Sequence, residues 1–325
     1  MGQVMKGALT ALALSIASSF SAPAWAQDAA YPVDTVTIYT HSKPGSGSDL
    51  FLRAISQPLS KYLGAKVVVD YWAGGSGAKA MANLANAPAD GSVFYATTPT
   101  HITTSLLSKP EKTFKDIDYV VNFFYDPEIF YTKTDSPFAN IKDAVDFAVA
   151  NPGKAKWGGA SAGSLERQIL EKIKKKTGAN VAIIPHEDGA GLLINVLNGT
   201  VDLGVGELGE LAGQIAGGEL KPLGVYMPER LPALPDVPTA KELGVDDEVI
   251  IKFRGLAGPK GIPAETIKLI EAAAQKVLAD ADFKQEYEAL NLIPGYMGQE
   301  EYRAYVAKFV DAQAKFYADF GVTAE

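Results

Sequence analysis

The chain has 325 residues, 47% of them hydrophobic and 21% charged, which is an ordinary globular composition with apolar material for one large domain or two smaller ones. Its 38 acidic against 30 basic residues give a formal charge of −8, which argues against nucleic acid or an anionic membrane surface as partner. There is no cysteine, hence no disulfide framework and no thiol to carry a lipid, and stability has to come from burial alone.

The first 26 residues read as separate from the fold. Lys6 supplies a positive start, residues 8–17 (ALTALALSIA) form a short apolar run, and Ala24-Trp25-Ala26 fits a small-x-small cleavage rule. An export signal cleaved near Ala26 is expected, with a periplasmic product; the apolar run is shorter than the roughly 20 residues a membrane span needs. Residues 33–40 (VDTVTIYT) then read as a strand, residues 49–63 as a helix with Leu50, Ala54, Leu59 and Tyr62 at helical spacing, and residues 65–71 as a second strand. That is a βαβ unit. The alternation continues through a helix at 78–87, a strand at 93–97, helices at 140–150 and after Ser164, a strand at 181–185, a helix at 192–197 and a strand at 201–205. Such alternation predicts the α/β class, with mostly parallel sheets flanked by helices. Residues 264–279 and 300–320 read as amphipathic packing helices.

Two long apolar, β-rich stretches, 119–131 (YVVNFFYDPEIFY) and 248–256 (EVIIKFRGL), are each able to carry the chain between two lobes. The expected division is residues 27–125 with 251–325 as one lobe and 126–250 as the other.

Residues 157–164 (WGGASAGS) place Gly159, Ser161 and Gly163 in G-x-S-x-G, the pattern of a hydrolase nucleophile turn. Catalysis would need a strong strand before the serine and an acid and a histidine after it. The strand is weak, His186 is the one downstream histidine, and the intervening Glu166 and Glu171 sit on the following helix. A secreted serine hydrolase using Ser161 is therefore a remote alternative. The favoured reading is a small-residue loop opening a helix capped by Ser164, where free amides and the helix dipole attract a carboxylate; a plain close passage of two backbones is the bland one. Residues 44–49 (PGSGSD) repeat the theme: Asp49 accepts first-turn N–H bonds, and the other amides face a ligand. This loop lacks the G-K-[ST] of a P-loop and the third glycine of a dinucleotide fingerprint. His41, His101 and His186 each follow a predicted strand, where ligands of open α/β sheets collect. With Glu128, Glu187, Asp188 or Glu207 they offer donors for a metal, so a metal or metal-chelate receptor is a second alternative; their spacing matches no tight metal motif, and hydrogen bonding to a ligand is preferred.

Several further segments stand out. They are Tyr31-Pro32, the loop at 44–49, Ala73-Gly74-Gly75-Ser76-Gly77, Ala89-Asp90-Gly91 and Asn198-Gly199-Thr200-Val201-Asp202. Later come residues 234–239 (LPDVPT), Leu243-Gly244, residues 255–259 (GLAGP) and Ile262-Pro263. With these motifs the chain resembles the periplasmic solute receptors of tripartite tricarboxylate transporters, the TctC or Bug type, over essentially all of the mature sequence. The resemblance implies a two-lobed Venus-flytrap fold of the type II periplasmic binding proteins, with no catalysis, no cofactor and no resident metal. It further implies a monomer that hands a small organic acid to the transporter's permease subunits. Carried over by position, the binding loops supply Ser46, Gly47, Ser48 and Asp49; Thr98, Thr100 and His101; Gly159, Ser161, Gly163 and Ser164; and His186, Asp188 and Gly189. Glu207 is added, with His41, Glu128 and Glu187 as further candidates. Some positions depart from the family pattern. His186-Glu187-Asp188-Gly189 stands where Y-K-G-G is common, Pro99 where a glycine is usual, His101 where an apolar residue is usual, and Gly206-Glu207 where D-S is common. Positive charge is lost there. The expected ligand is therefore an acid held at one end by amides, whose other end is neutral, hydroxylated or amino-bearing.

Overall fold

A computed structural model describes residue 2 and residues 30–161 and 163–321; the residues that carry the export-signal reading, Lys6 through Ala26, lie outside the described residues. The chain opens with β1 (Thr35–Thr40), α1 (Gly47–Leu63), β2 (Lys66–Tyr71), α2 (Ala78–Ala85), β3 (Val93–Thr97), α3 (Pro99–Ser108) and β4 (Ile117–Asp126). It continues with β5 (Glu128–Lys133), α4 (Ile141–Ala150), β6 (Lys156–Gly159), α5 (Leu165–Thr177), β7 (Ala182–Pro185), α6 (Gly189–Leu197), β8 (Leu203–Glu207), α7 (Leu208–Ala216) and β9 (Leu220–Tyr226). It closes with β10 (Lys252–Pro259), α8 (Ala264–Ala279), α9 (Ala281–Ala289), β11 (Ile293–Met297) and α10 (Gln299–Phe320).

These strands make two sheets, one of six in the order β11-β4-β10-β3-β1-β2 and one of five in the order β7-β6-β8-β5-β9. The βα alternation gives parallel pairs at β1 with β2 and β3, and at β6 with β7 and β8. The sheets are mixed, however, because the strands beside the crossings pair antiparallel: β10 with β3 and β4, β11 with β4, and β5 with β8 and β9. The stretch at 119–131 is not one strand but β4 and β5, in different sheets, with Pro127 alone between them. The chain returns from β9 to β10 through residues 227–251.

Each sheet has its own core. Helix α1 buries Phe51, Ile55, Leu59 and Leu63, four residues apart on one stripe, with Leu50 and Tyr62 half-buried at its edge. Gly64 ends it at φ 70°, a left-handed turn that costs glycine little. Phe51 meets Phe123 and Phe124 of β4 edge-on, and in the other half Trp157 is fully buried near Phe130 and Tyr226. Each such side chain contributes about 1.5–3 kcal/mol by leaving water. Among the described residues, no helix is long and apolar enough to cross a membrane.

Candidate functional site

The parallel strands decide where the site lies. β1 and β3 in one sheet, and β6, β7 and β8 in the other, each run at the carboxyl end into a helix: α1, α3, α5, α6 and α7. The N-termini of these five helices line one cleft, through Ser46 and Gly47, Thr98 and Thr100, Ser164 and Glu166, Asp188 and Gly189, and Glu207 and Glu210. The space between the lining atoms is about 360 Å³, open solvent at the mouth included. Each helix start carries unsatisfied amides and a partial positive charge, so the convergence favours an anionic group.

The five starts are not equivalent. Ser46 caps α1 by backbone alone; its Oγ is buried and has no hydrogen-bond partner among the described residues. Asp49 braces this loop from behind, accepting the Gly45 N–H at 2.8 Å and bonds from Tyr71 and Arg53 at 2.6 and 2.9 Å. Gly47 lets the loop approach the opposite half, since a Cβ there would lie 3.0 Å from the Glu207 carboxyl, besides meeting Arg254 Nη2 of its own half at 2.5 Å. Ser164 and Asp188 are caps with bonded side chains, accepting the N–H groups of Arg167 and Gly191 at 3.2 and 2.9 Å. Ser161 lines the cleft, with its buried Oγ unpartnered among the described residues.

The floor of the cleft is charged. Lys252 and Arg254, two residues apart on β10, project from the same face of the strand. The Lys252 ammonium stands 2.7 Å from Glu128, 2.6 Å from Glu166 and 2.6 Å from Glu207, all from the other half. The Arg254 guanidinium bonds Asp126 at 2.7 Å, Ser48 at 2.8 Å and also Glu207. Burial would raise the Glu207 carboxyl, but Lys252 and Arg254 hold it below the usual range. Glu128 goes the other way: burial and the neighbouring Glu166 raise it, and Lys252 does not offset them. Burial and Glu207 likewise push Glu210 well up, and its carboxyl accepts the Gly47 N–H across the cleft. Asp126 is pushed up to about 6 by burial, despite Arg254.

The sequence-derived candidates separate into three groups. Ser46, Gly47, Ser48, Thr98, Thr100, Ser161, Ser164, Asp188, Gly189, Glu207, His41 and Glu187 line the cleft. His186 sits at its outer mouth, with its Nδ1 3.3 Å from the Gly159 carbonyl. Asp49, Gly159, Gly163, His101 and Glu128 are not brought to the cleft surface. His101 is a core residue, fully buried, with Nε2 2.8 Å from the Tyr119 hydroxyl and its ring edge-on to Tyr95. The space at Gly159 is taken by the Arg167 backbone and that at Gly163 by Thr104. Glu128 lies behind the cleft against Lys252.

The positive charge absent from the 186–189 loop is supplied to the cleft from elsewhere. Glu187 is 77% exposed and pairs with Lys43, and Asp188 is committed to its helix, while Lys252 and Arg254 bring two cations that the loop motifs did not reveal. Their signal was a K-x-R pair inside an otherwise apolar strand. Glu166, Glu210 and Asp126 were likewise missed. The carboxylates of Glu128, Glu166 and Glu207 gather within 4.8 Å of one another, as metal ligands would, but the Lys252 ammonium already contacts all three.

Comparison with known proteins gives the context. The family model of the tripartite tricarboxylate transporter family receptor, TctC, matches residues 51–321. A UPF0065 protein of Bordetella bronchiseptica is 29% identical over 282 residues, covering 86% of this chain and 83% of that protein. Among solved structures, the periplasmic binding protein BugD superposes with a TM-score of 0.84 at 24% identity, covering 91% of this chain and 100% of that one. An R. palustris protein solved with adipate gives 0.85 at 23% identity, covering 90% and 99%. These likenesses establish the two-lobed binding-protein fold.

Proposed function

This chain belongs to the tripartite tricarboxylate transporter receptor family, TctC, and from that membership we propose that it captures one small organic acid and delivers it to the membrane subunits of such a transporter. The ligand's carboxylate is held by backbone amides and ordered water in the cleft between residues 27–125 with 251–325 on one side and 126–250 on the other. The protein acts in the periplasm after loss of its first 26 residues, as a monomer and without catalysis.

One observation carries this reading. Five helix N-termini open on a single cleft in which the hydroxyls of Ser46 and Ser161 are buried and unpartnered among the described residues. Buried polar atoms without partners are costly, and a ligand oxygen satisfies them. Ser161 is thus a hydrogen-bond donor to ligand rather than a nucleophile; the nearby His186 imidazole contacts the Gly159 carbonyl instead. The adipate held by the R. palustris structural neighbour is consistent with a carboxylate at such a cleft.

The test is a thermal-shift screen of the mature protein against carboxylates, amino acids, sugars and divalent metals. A ligand at a hundred times its dissociation constant adds about 2.7 kcal/mol to stability, which is readily visible as a raised Tm. Carboxylate-bearing compounds should raise it. A shift by metals alone would overturn the reading.

A further inference from the structure

Building on the carboxylate-receptor reading, we propose that the ligand carries a protonated amine besides its carboxylate, and that Glu166 receives this amine. The chain's own cations are already engaged. Lys252 donates to Glu166 and Glu207, each at 2.6 Å, and stands 2.7 Å from Glu128 as well. Arg254 directs Nε to Asp126, Nη1 to Ser48 and Nη2 to Glu207 and Asp126. A second ligand carboxylate would enter a buried floor whose two cations already pair with Asp126, Glu166 and Glu207. Without a cation of its own to meet, it would be strongly disfavoured.

Acceptor capacity is left over in the same place. Glu166 is 2% exposed and lines the cleft; its Oε1 takes Lys252 at 2.6 Å, whereas its buried Oε2 has no hydrogen-bond partner among the described residues. Ser161, 6% exposed, lines the same cleft, and its buried Oγ likewise has no hydrogen-bond partner among the described residues. Glu166 lies in the first turn of α5, where the helix dipole favours a negative side chain and where Ser164 fixes the turn. An ammonium donating to Glu166 Oε2 and Ser161 Oγ satisfies both atoms. The helix start at Ser46 and Gly47, on the opposite side of the cleft, is left for the ligand's carboxylate. The ligand class that fits is a small amino acid, with the amine at the α position or farther along.

The experiment is isothermal titration of the mature protein with matched probes: alanine, β-alanine and γ-aminobutyrate against propionate, butyrate, malonate and succinate, with diaminobutane as the amine lacking a carboxylate. At least one amino acid should bind about tenfold or more tighter than its matched mono- and dicarboxylates, as a charge-assisted bond to a buried carboxylate requires. In Glu166→Gln, whose amide oxygen still accepts from Lys252, that preference should collapse to within about threefold. Ser161→Ala, which leaves the ion cluster intact, should reduce it in the same direction by a smaller factor. Succinate or malonate binding as tightly as the amino acids, no amino acid binding, or a preference unchanged in both variants would overturn the amine subsite; in the first case the carboxylate reading still stands. Binding of diaminobutane alone would overturn the carboxylate reading itself, and this inference with it.

Discussion

His41 and His101 show how one residue type at equivalent places acquires different roles. Both follow strands of the six-stranded sheet, as the sequence suggests, but only burial decides the outcome. His41 is half-buried at the cleft, with Nδ1 2.5 Å from the Tyr95 hydroxyl, while His101 lies in the core behind it. Burial is the main cause that lowers His41 to about 4 and His101 to about 3, with Arg254 adding to the first and His41 to the second. The unfolded chain therefore binds protons that the folded chain refuses between about pH 6.5 and these values. Stability from these histidines is fully present above pH 6.5 and is lost as pH falls, with a slope of about 1.4 kcal/mol per pH unit for each. Asp126, raised to about 6, changes in the opposite sense, so the comparison has to be between proteins. Urea unfolding at neutral pH and near pH 5 should show a smaller acid-induced loss in His101→Gln than in the wild type. An equal loss would mean that His101 is charged in the folded state. At this scale the small-residue loops were legible because glycine and serine mark tight βα turns. The ion cluster left only the K-x-R pair on one strand as a mark, because its carboxylate partners come from distant segments of the other half.

Among the elements, helices with one apolar stripe were legible and helices buried all round were not. Helix α1 and the pair α8 and α10 fall where periodicity puts them. Helix α3 has seven successive buried residues, Pro99 through Ser105, so its sequence (PTHITTSLLS) carries no amphipathic signal. Helix α7 (LGELAGQIA) holds two glycines and β11 (IPGYM) a proline and a glycine; tertiary packing overrides weak propensity in both. The caps of the cleft helices have a measurable share in the fold. Ser164→Ala and Asp188→Ala each remove a side-chain acceptor from a helix start, and each should lower unfolding free energy by about 1 kcal/mol in urea titrations. If Asp188→Ala left stability unchanged while abolishing binding, the carboxylate would be a ligand contact and not a cap.

Over the whole molecule, two of the ion-pair contacts between the halves differ in weight. Lys252 and Arg254 make dry, multiply bonded ion pairs at the floor. Lys43 and Glu187 meet at the mouth with side chains 54% and 77% exposed, where water and salt screen them. Glu187→Gln should therefore change ligand affinity by less than about fivefold, and the difference should vanish in high salt. Titrations at two ionic strengths check this, and a large, salt-independent loss would place Glu187 on the ligand. The α/β class was legible from the alternation of strand and helix patterns, but which strands reverse direction was not, since pairing between distant segments leaves no mark on either.

The placement of Pro127 as the sole residue between β4 and β5 has a mechanical consequence. One residue of extended chain reaches only about 3.3 Å, so that connection acts as a fulcrum without slack. Were the two halves to turn about it, displacement would grow with distance from Pro127. Side chains beside the fulcrum would scarcely shift, while a small angle near it would become a wide gap at the rim where Lys43 faces Glu187.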